Sequence, residues 1–135
     1  MATLTPTLTL TSTDLFPDES LSLQLTDSLD VLGPVTTKRV IIDSSASVLT
    51  TSNMVLLASG STKSYVLLYN TSEATSGEII TIGDDTNDDA ALEEINLELA
   101  PGEFAFFPWN ASRDIVADAS SGTPTLEVRA YQVAL

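Results

Sequence analysis

Apolar and polar residues alternate along much of this chain with a period of two. Leu4, Leu8 and Leu10 stand among Thr5, Thr7 and Thr9, and Leu21, Leu23 and Leu25 flank Ser22 and Gln24. Successive side chains of a strand point to opposite faces, so the pattern predicts strands with one apolar face. Pro6 interrupts the first alternation and has no N–H to give to a ladder. Residues 1–12 are therefore expected to form an extended N-terminal arm or edge strand. Residues 13–19 read as a loop, and Leu29, Val31 and Leu32 run up to a turn at Gly33-Pro34.

Beyond Lys38 the predicted strands become more apolar. Candidates are Arg39–Ile42, Ser47–Thr50, Asn53–Leu57 and Ser64–Asn70, with Gly60 marking a turn. The almost unbroken apolar run within Ser64–Asn70 predicts burial on both faces, inside a sandwich or between subunits. Glu78–Ile82 is a further strand, closed by Gly83. Ile95, Leu97 and Leu99 then alternate with Asn96 and Glu98, and Pro101-Gly102 makes a tight turn. Glu103–Trp109 carries most of the aromatic mass, Ile115–Ala117 is short, and Leu126, Val128 and Ala130 alternate with Glu127, Arg129 and Tyr131. This gives about nine or ten short strands with turn signals every ~8–12 residues, a spacing that suits a sandwich or barrel and leaves no room for helical crossovers. The expected fold is all-β: a single β-sandwich, jelly-roll-like or immunoglobulin-like, over residues 13–135, preceded by the arm.

Composition agrees with a folded domain and narrows the chemistry. Apolar residues make up 43% of the 135-residue chain and charged residues 18%, unlike a disordered chain of low hydrophobicity and high charge. Nineteen acidic and five basic side chains give a net charge of −14. Nucleic acid is not an expected partner, because displacing condensed counterions from a duplex requires basic side chains. Anionic lipid is disfavoured on the same ground, and no apolar run approaches the ~18 residues of a membrane span. The opening Met1–Thr5 has neither a basic residue nor a long apolar run and is not read as a secretory signal. There is no cysteine and no histidine. Disulfides, thiolate chemistry and zinc–sulfur sites are thereby excluded, and the commonest general base is absent.

Few residues remain that could carry chemistry. Asp84, Asp85, Asp88 and Asp89 with Asn87 offer oxygen ligands of the kind calcium takes, but the helix-loop-helix spacing is missing: counted from Asp85, Ala90 stands where that motif needs Gly and Asn96 where it needs Glu. A solvated hairpin tip is the simpler reading, and neither a metal nor a cofactor is expected. Glu93, Glu94 and Glu103 supply carboxylates without a recognisable acid–base arrangement, and no phosphate loop or nucleophile elbow occurs. No catalytic residue is assigned. Asn70-Thr71-Ser72 and Asn110-Ala111-Ser112 match the glycosylation pattern by chance. Lys38, Arg39, Lys63, Arg113 and Arg129 are dispersed and read as ion-pair partners, not as a basic patch. In the aromatic strand, Phe104 and Phe106 point one way, and Ala105 and Phe107 the other. Aromatics on both faces fit one small core only if both faces are covered. Phe104, Phe106, Phe107 and Trp109, with Leu4, Leu8 and Leu10 of the arm, are therefore the candidate interface residues.

Three stretches carry a resemblance. They are the low-complexity opening Thr3–Thr11 continued in Ser20–Leu29, the run Tyr65–Thr71 followed by Ile79–Gly83, and the closing stretch Leu97–Trp109 with Ile115–Ser120 and Leu126–Arg129. In these the chain resembles small virion proteins of tailed bacteriophages, notably those of marine and cyanobacterial hosts, of the capsid cement or decoration type. The resemblance covers most of the chain, but as a texture and not as a motif with fixed chemistry. It implies a non-enzymatic structural role on the outer capsid surface, clamping neighbouring capsomers, with the major capsid protein or another virion protein as partner. A homotrimer is the implied state, and assembly in the host cytoplasm agrees with the lack of disulfides. A tail, neck or fibre module and a carbohydrate- or surface-binding β-sandwich are the alternatives.

Overall fold

The computed structural model describes residues 2–15, 17–32, 35–42, 63–73, 76–85, 94–109 and 114–133. The expected strands 47–50 and 53–57 and the turns at Gly33-Pro34 and Gly60 lie outside these residues. Within them are eleven strands: β1 (Ala2–Leu4), β2 (Thr7–Ser12), β3 (Leu21–Thr26), β4 (Leu29–Val31), β5 (Thr36–Ile41), β6 (Ser64–Asn70), β7 (Ile80–Asp85), β8 (Glu94–Leu99), β9 (Phe104–Trp109), β10 (Asp114–Ala119) and β11 (Thr125–Gln132). The fold is all-β.

Two sheets hold the core. One is four-stranded in the order β5-β11-β6-β9 and the other three-stranded in the order β10-β7-β8, with every pair antiparallel. Alternation explains their shared interior. Val66, Leu68, Leu126 and Val128 from the larger sheet meet Ile80, Ile82, Leu99, Ile115, Ala117 and Ala119 from the smaller one in a single buried cluster, which Ile42 completes. Each fully buried Leu, Ile or Val contributes about 1.5–3 kcal/mol relative to exposure, so this sandwich-like layer is where most of the stability lies.

Asn70, at the end of β6, ties the strand ends together. It is fully buried, and its Nδ2 donates to the carbonyls of Glu78 and Leu99, each at 2.9 Å. Its Oδ1 accepts from the Ser72 N–H, its own N–H donates to Glu103 O, and its carbonyl accepts from Gly102 N–H. With both amide protons committed inside the fold, Asn70 cannot be a glycan acceptor in the folded protein. Gly102 belongs to the Pro101-Gly102 turn and takes φ +83°, a conformation that costs a side-chain-bearing residue about 1 kcal/mol or more.

Two details depart from the sequence reading. The strand expected to close at Gly83 continues to Asp85, because Gly83, Asp84 and Asp85 go on pairing with β10. Between Ile82 and Gly83 the β7–β8 register shifts, so that Asn96 is the extra residue of a bulge. The bulge breaks the expected row of Ile95, Leu97 and Leu99: Leu99 is buried, Leu97 packs against the core, and Ile95 is 64% exposed. Asp84 is buried at the end of β7, and the Asn96 amide approaches its carboxylate at 3.5 Å.

The N-terminal strands stand apart from both sheets. β2 and β3 form a hairpin, and β1 pairs with β4 in a separate two-stranded ribbon. The Asp27 N–H closes the hairpin base on Pro6 O at 3.1 Å. The ribbon is anchored to the end of β11 by the Val31–Val133 bridge and by the Leu32 N–H on Gln132 O. Among the described residues none before Val40 belongs to the core cluster or packs against it, although Leu29 and Val31 are buried.

Candidate interaction surface

The outer face of the four-stranded sheet is built by the same alternation that builds the core. Pairing of β9, β6 and β11 places Phe104, Tyr69 and Glu127 in one row, Phe106, Leu67 and Arg129 in the next, and Pro108, Tyr65 and Tyr131 in a third. All three tyrosines of the chain stand in these rows. Tyr65 and Phe106 stack at 5.5 Å between ring centroids, and the Lys63 ammonium lies 5.3 Å from the Tyr65 ring centre. Phe104 is 65% exposed, and Phe106 and Tyr69 are also exposed. The expected burial of β6 on both faces thus holds for one face only. Val66, Leu68 and Asn70 face the core, while Tyr65 and Leu67 are half-buried because no described residue covers them fully.

The hairpin repeats this two-sidedness on a smaller scale. Opposed residues of antiparallel strands share a face, so the Leu8–Leu25 and Leu10–Leu23 pairs form one apolar face, and Thr7–Thr26, Thr9–Gln24 and Thr11–Ser22 form a polar one. All of Leu8, Leu10, Leu23 and Leu25 are exposed. Neither strand carries a charge, and exposed edge strands are usually blunted by charge, bulges or proline. A two-stranded hairpin is marginal alone, and an uncovered leucine face gives it little reason to stay formed without a partner.

Where hairpin base and sheet meet there is a groove of about 520 Å³. Its walls are Leu4, Pro6, Leu8 and Leu25 on one side and Leu67, Phe104, Phe106 and Tyr131 on the other, with Thr7, Thr26 and Asp27 as its polar members. Of the candidate interface residues, Leu4, Leu8, Phe104 and Phe106 are brought together here. Leu10 extends the leucine face outside the groove. Phe107 and Trp109 turn inwards instead, pack against the core, and meet edge to face at 6.3 Å. Sequence reading missed Leu25, Leu67 and Tyr131, although the Leu21–Leu25 alternation and the continuous apolar run of β6 contained the signal.

The split between the two faces has a measurable consequence. Phe107→Ala is expected to cost about 2 kcal/mol of unfolding free energy by leaving a cavity against the core. Phe104→Ala, on the exposed face, is expected to stay within about 0.5 kcal/mol of wild type. Urea denaturation of the two variants measures both.

Charge on this surface is sparse. Arg129 Nη2 lies 2.6 Å from Glu127 Oε1, and its Nε donates to the same oxygen at 2.8 Å. This contact, with Tyr131 adding to it, raises the guanidinium pKa further. Among the described residues no group of three or more acidic side chains converges as a metal site, and no helix is long and apolar enough to cross a membrane. Asn87, Asp88 and Asp89 of the acidic loop, and Asn110 and Arg113, lie outside the described residues. No protein-family model matches the chain, and no curated protein does.

Proposed function

We propose that this chain is a non-enzymatic structural virion protein of the capsid cement type, docking on the outer shell of a tailed phage and bridging neighbouring capsomers. The observation that supports this reading is the extent of uncovered apolar surface. A leucine-faced, uncharged hairpin adjoins a sheet face carrying Phe104, Phe106 and Tyr69. Contiguous apolar patches of this kind mark interaction sites in soluble proteins, and tyrosine and phenylalanine are enriched at interface centres. The partner is a major capsid protein or another virion protein, and the chain acts as a homotrimer on the shell.

The test is co-sedimentation of the purified chain with assembled shells lacking any cement protein, together with its solution mass by light scattering. Saturable binding to shells and a trimeric mass are expected. Failure to bind shells, with binding to isolated tails or necks, would move the chain to a tail, neck or fibre position. For the glycan-binding alternative, Trp109 packs against the core, so a platform would have to be formed by Phe104, Phe106 and Tyr69.

The hairpin makes a separate prediction. Deleting residues 1–12 removes β1 and β2 but no member of the core cluster. The truncated chain is expected to keep a single cooperative melting transition while losing shell binding. Loss of cooperative melting would show that these strands stabilise the core.

A further inference from the structure

Among the described residues, one charged side chain lines the groove between hairpin and sheet, and that charge sets a condition on whatever fills it. Among the described residues that line it, Asp27 is the only Asp, Glu, Lys or Arg. Its Oδ1 accepts the Ser28 N–H at 2.7 Å, which leaves the other oxygen open. Among the described residues no basic side chain lines the groove. Of the five basic residues of the chain, Arg113 lies outside the described residues, Arg129 is engaged by Glu127, Lys63 sits over Tyr65, and Lys38 and Arg39 lie on β5 at the opposite edge of the sheet from β9.

Covering the apolar walls removes water from the Asp27 carboxylate, and a carboxylate desolvated without a counter-charge is costly. An occupant that brings a cation to this point turns the cost into a charge-assisted hydrogen bond. The nearby acidity acts in the same direction: Asp30 lies just beyond the hairpin base, within a chain of net charge −14. A second copy in a two-fold contact fits poorly, because an isologous contact brings another Asp27 to this point and no cation.

We infer that this groove docks an apolar segment of a partner protein that carries a lysine or arginine, with the basic group paired to Asp27 and the flanking apolar side chains against Leu8, Leu25, Phe104 and Phe106. The inference rests on reading this surface as a docking site for another protein, whether or not that protein forms a capsid.

Isothermal titration calorimetry with end-capped peptides tests it. The probe is Leu-Thr-Leu-Lys-Leu-Thr-Leu, compared with the same peptide carrying Gln in place of Lys. The full-length chain is expected to bind the lysine peptide on the order of tenfold more tightly than the glutamine peptide. Asp27→Asn keeps the acceptor for Ser28 and is expected to erase that preference, whereas Asp30→Asn is expected to retain it. Equal affinity for the two peptides, no binding of either, or a preference that survives Asp27→Asn would each overturn the inference. Self-association that displaces the peptide and strengthens in Asp27→Asn would identify a second copy as the occupant and overturn it too. Shell co-sedimentation separates the two proposals. Shells bound with no lysine preference leave the structural role and remove this one. Lysine preference without shell binding does the reverse.

Discussion

Asn70→Asp is expected to destabilise the protein by about 3–5 kcal/mol at pH 7, the cost of leaving an unpaired charge in a buried site. The substitution keeps the shape and removes both Nδ2 protons, so a carboxylate faces the Glu78 and Leu99 carbonyls at a position with no exposure. The pH dependence carries the diagnosis. Burial and the two carbonyls disfavour the charged form, so the introduced carboxyl has a folded pKa above its unfolded value of about 3.9. A group of that kind favours the fold when protonated, and the protonated acid also returns one donor to a carbonyl. The deficit relative to wild type should therefore narrow as pH falls from 7 towards 4. Urea denaturation of both proteins at the two pH values measures it. A deficit independent of pH would mean that the site relaxes enough to admit water.

The double variant Phe104→Ser with Phe106→Ser is expected to weaken docking on the shell at least ~100-fold, because central aromatic anchors commonly contribute 2 kcal/mol or more each. Folding should lose no more than about 1 kcal/mol, chiefly the Tyr65–Phe106 stack. The core side of the same strand, Ala105, Phe107 and Trp109, is unchanged in this variant. Co-sedimentation with shells and thermal melting, made on one preparation, separate the two effects. Docking at wild-type strength would remove this sheet face from the contact and leave the hairpin as the only candidate.

These predictions draw unequally on what was legible in the sequence. The strand Ser64–Asn70 was readable to its last residue, because a long apolar run bounded by polar residues has one reading in an all-β chain. The opposite directions of Phe104 and Phe107 followed from the period of two. Asn70 was read only as a chance glycosylation match: nothing local says that its amide will meet carbonyls of residues 8 and 29 positions away. The row Ile95, Leu97, Leu99 misled for a related reason. A bulge is a decision of the paired strands, and Ile95 turns outwards because β8 has one more residue than β7 to match.

The sequence by itself determined the class of the fold, the position of most strands, and the apolar face of each, because side-chain alternation is a property of one strand. It also settled the absence of thiol and imidazole chemistry, which depends on residue types alone. Tertiary structure decided which apolar faces were covered. Leu68 and Leu67 are neighbours of the same chemical kind, yet one lies in the core and the other on the groove wall. That difference arises from the second sheet packing on one side of β6 and, among the described residues, only the hairpin base approaching the other. Burial is a relation between elements distant in the chain, and one strand's pattern cannot specify it.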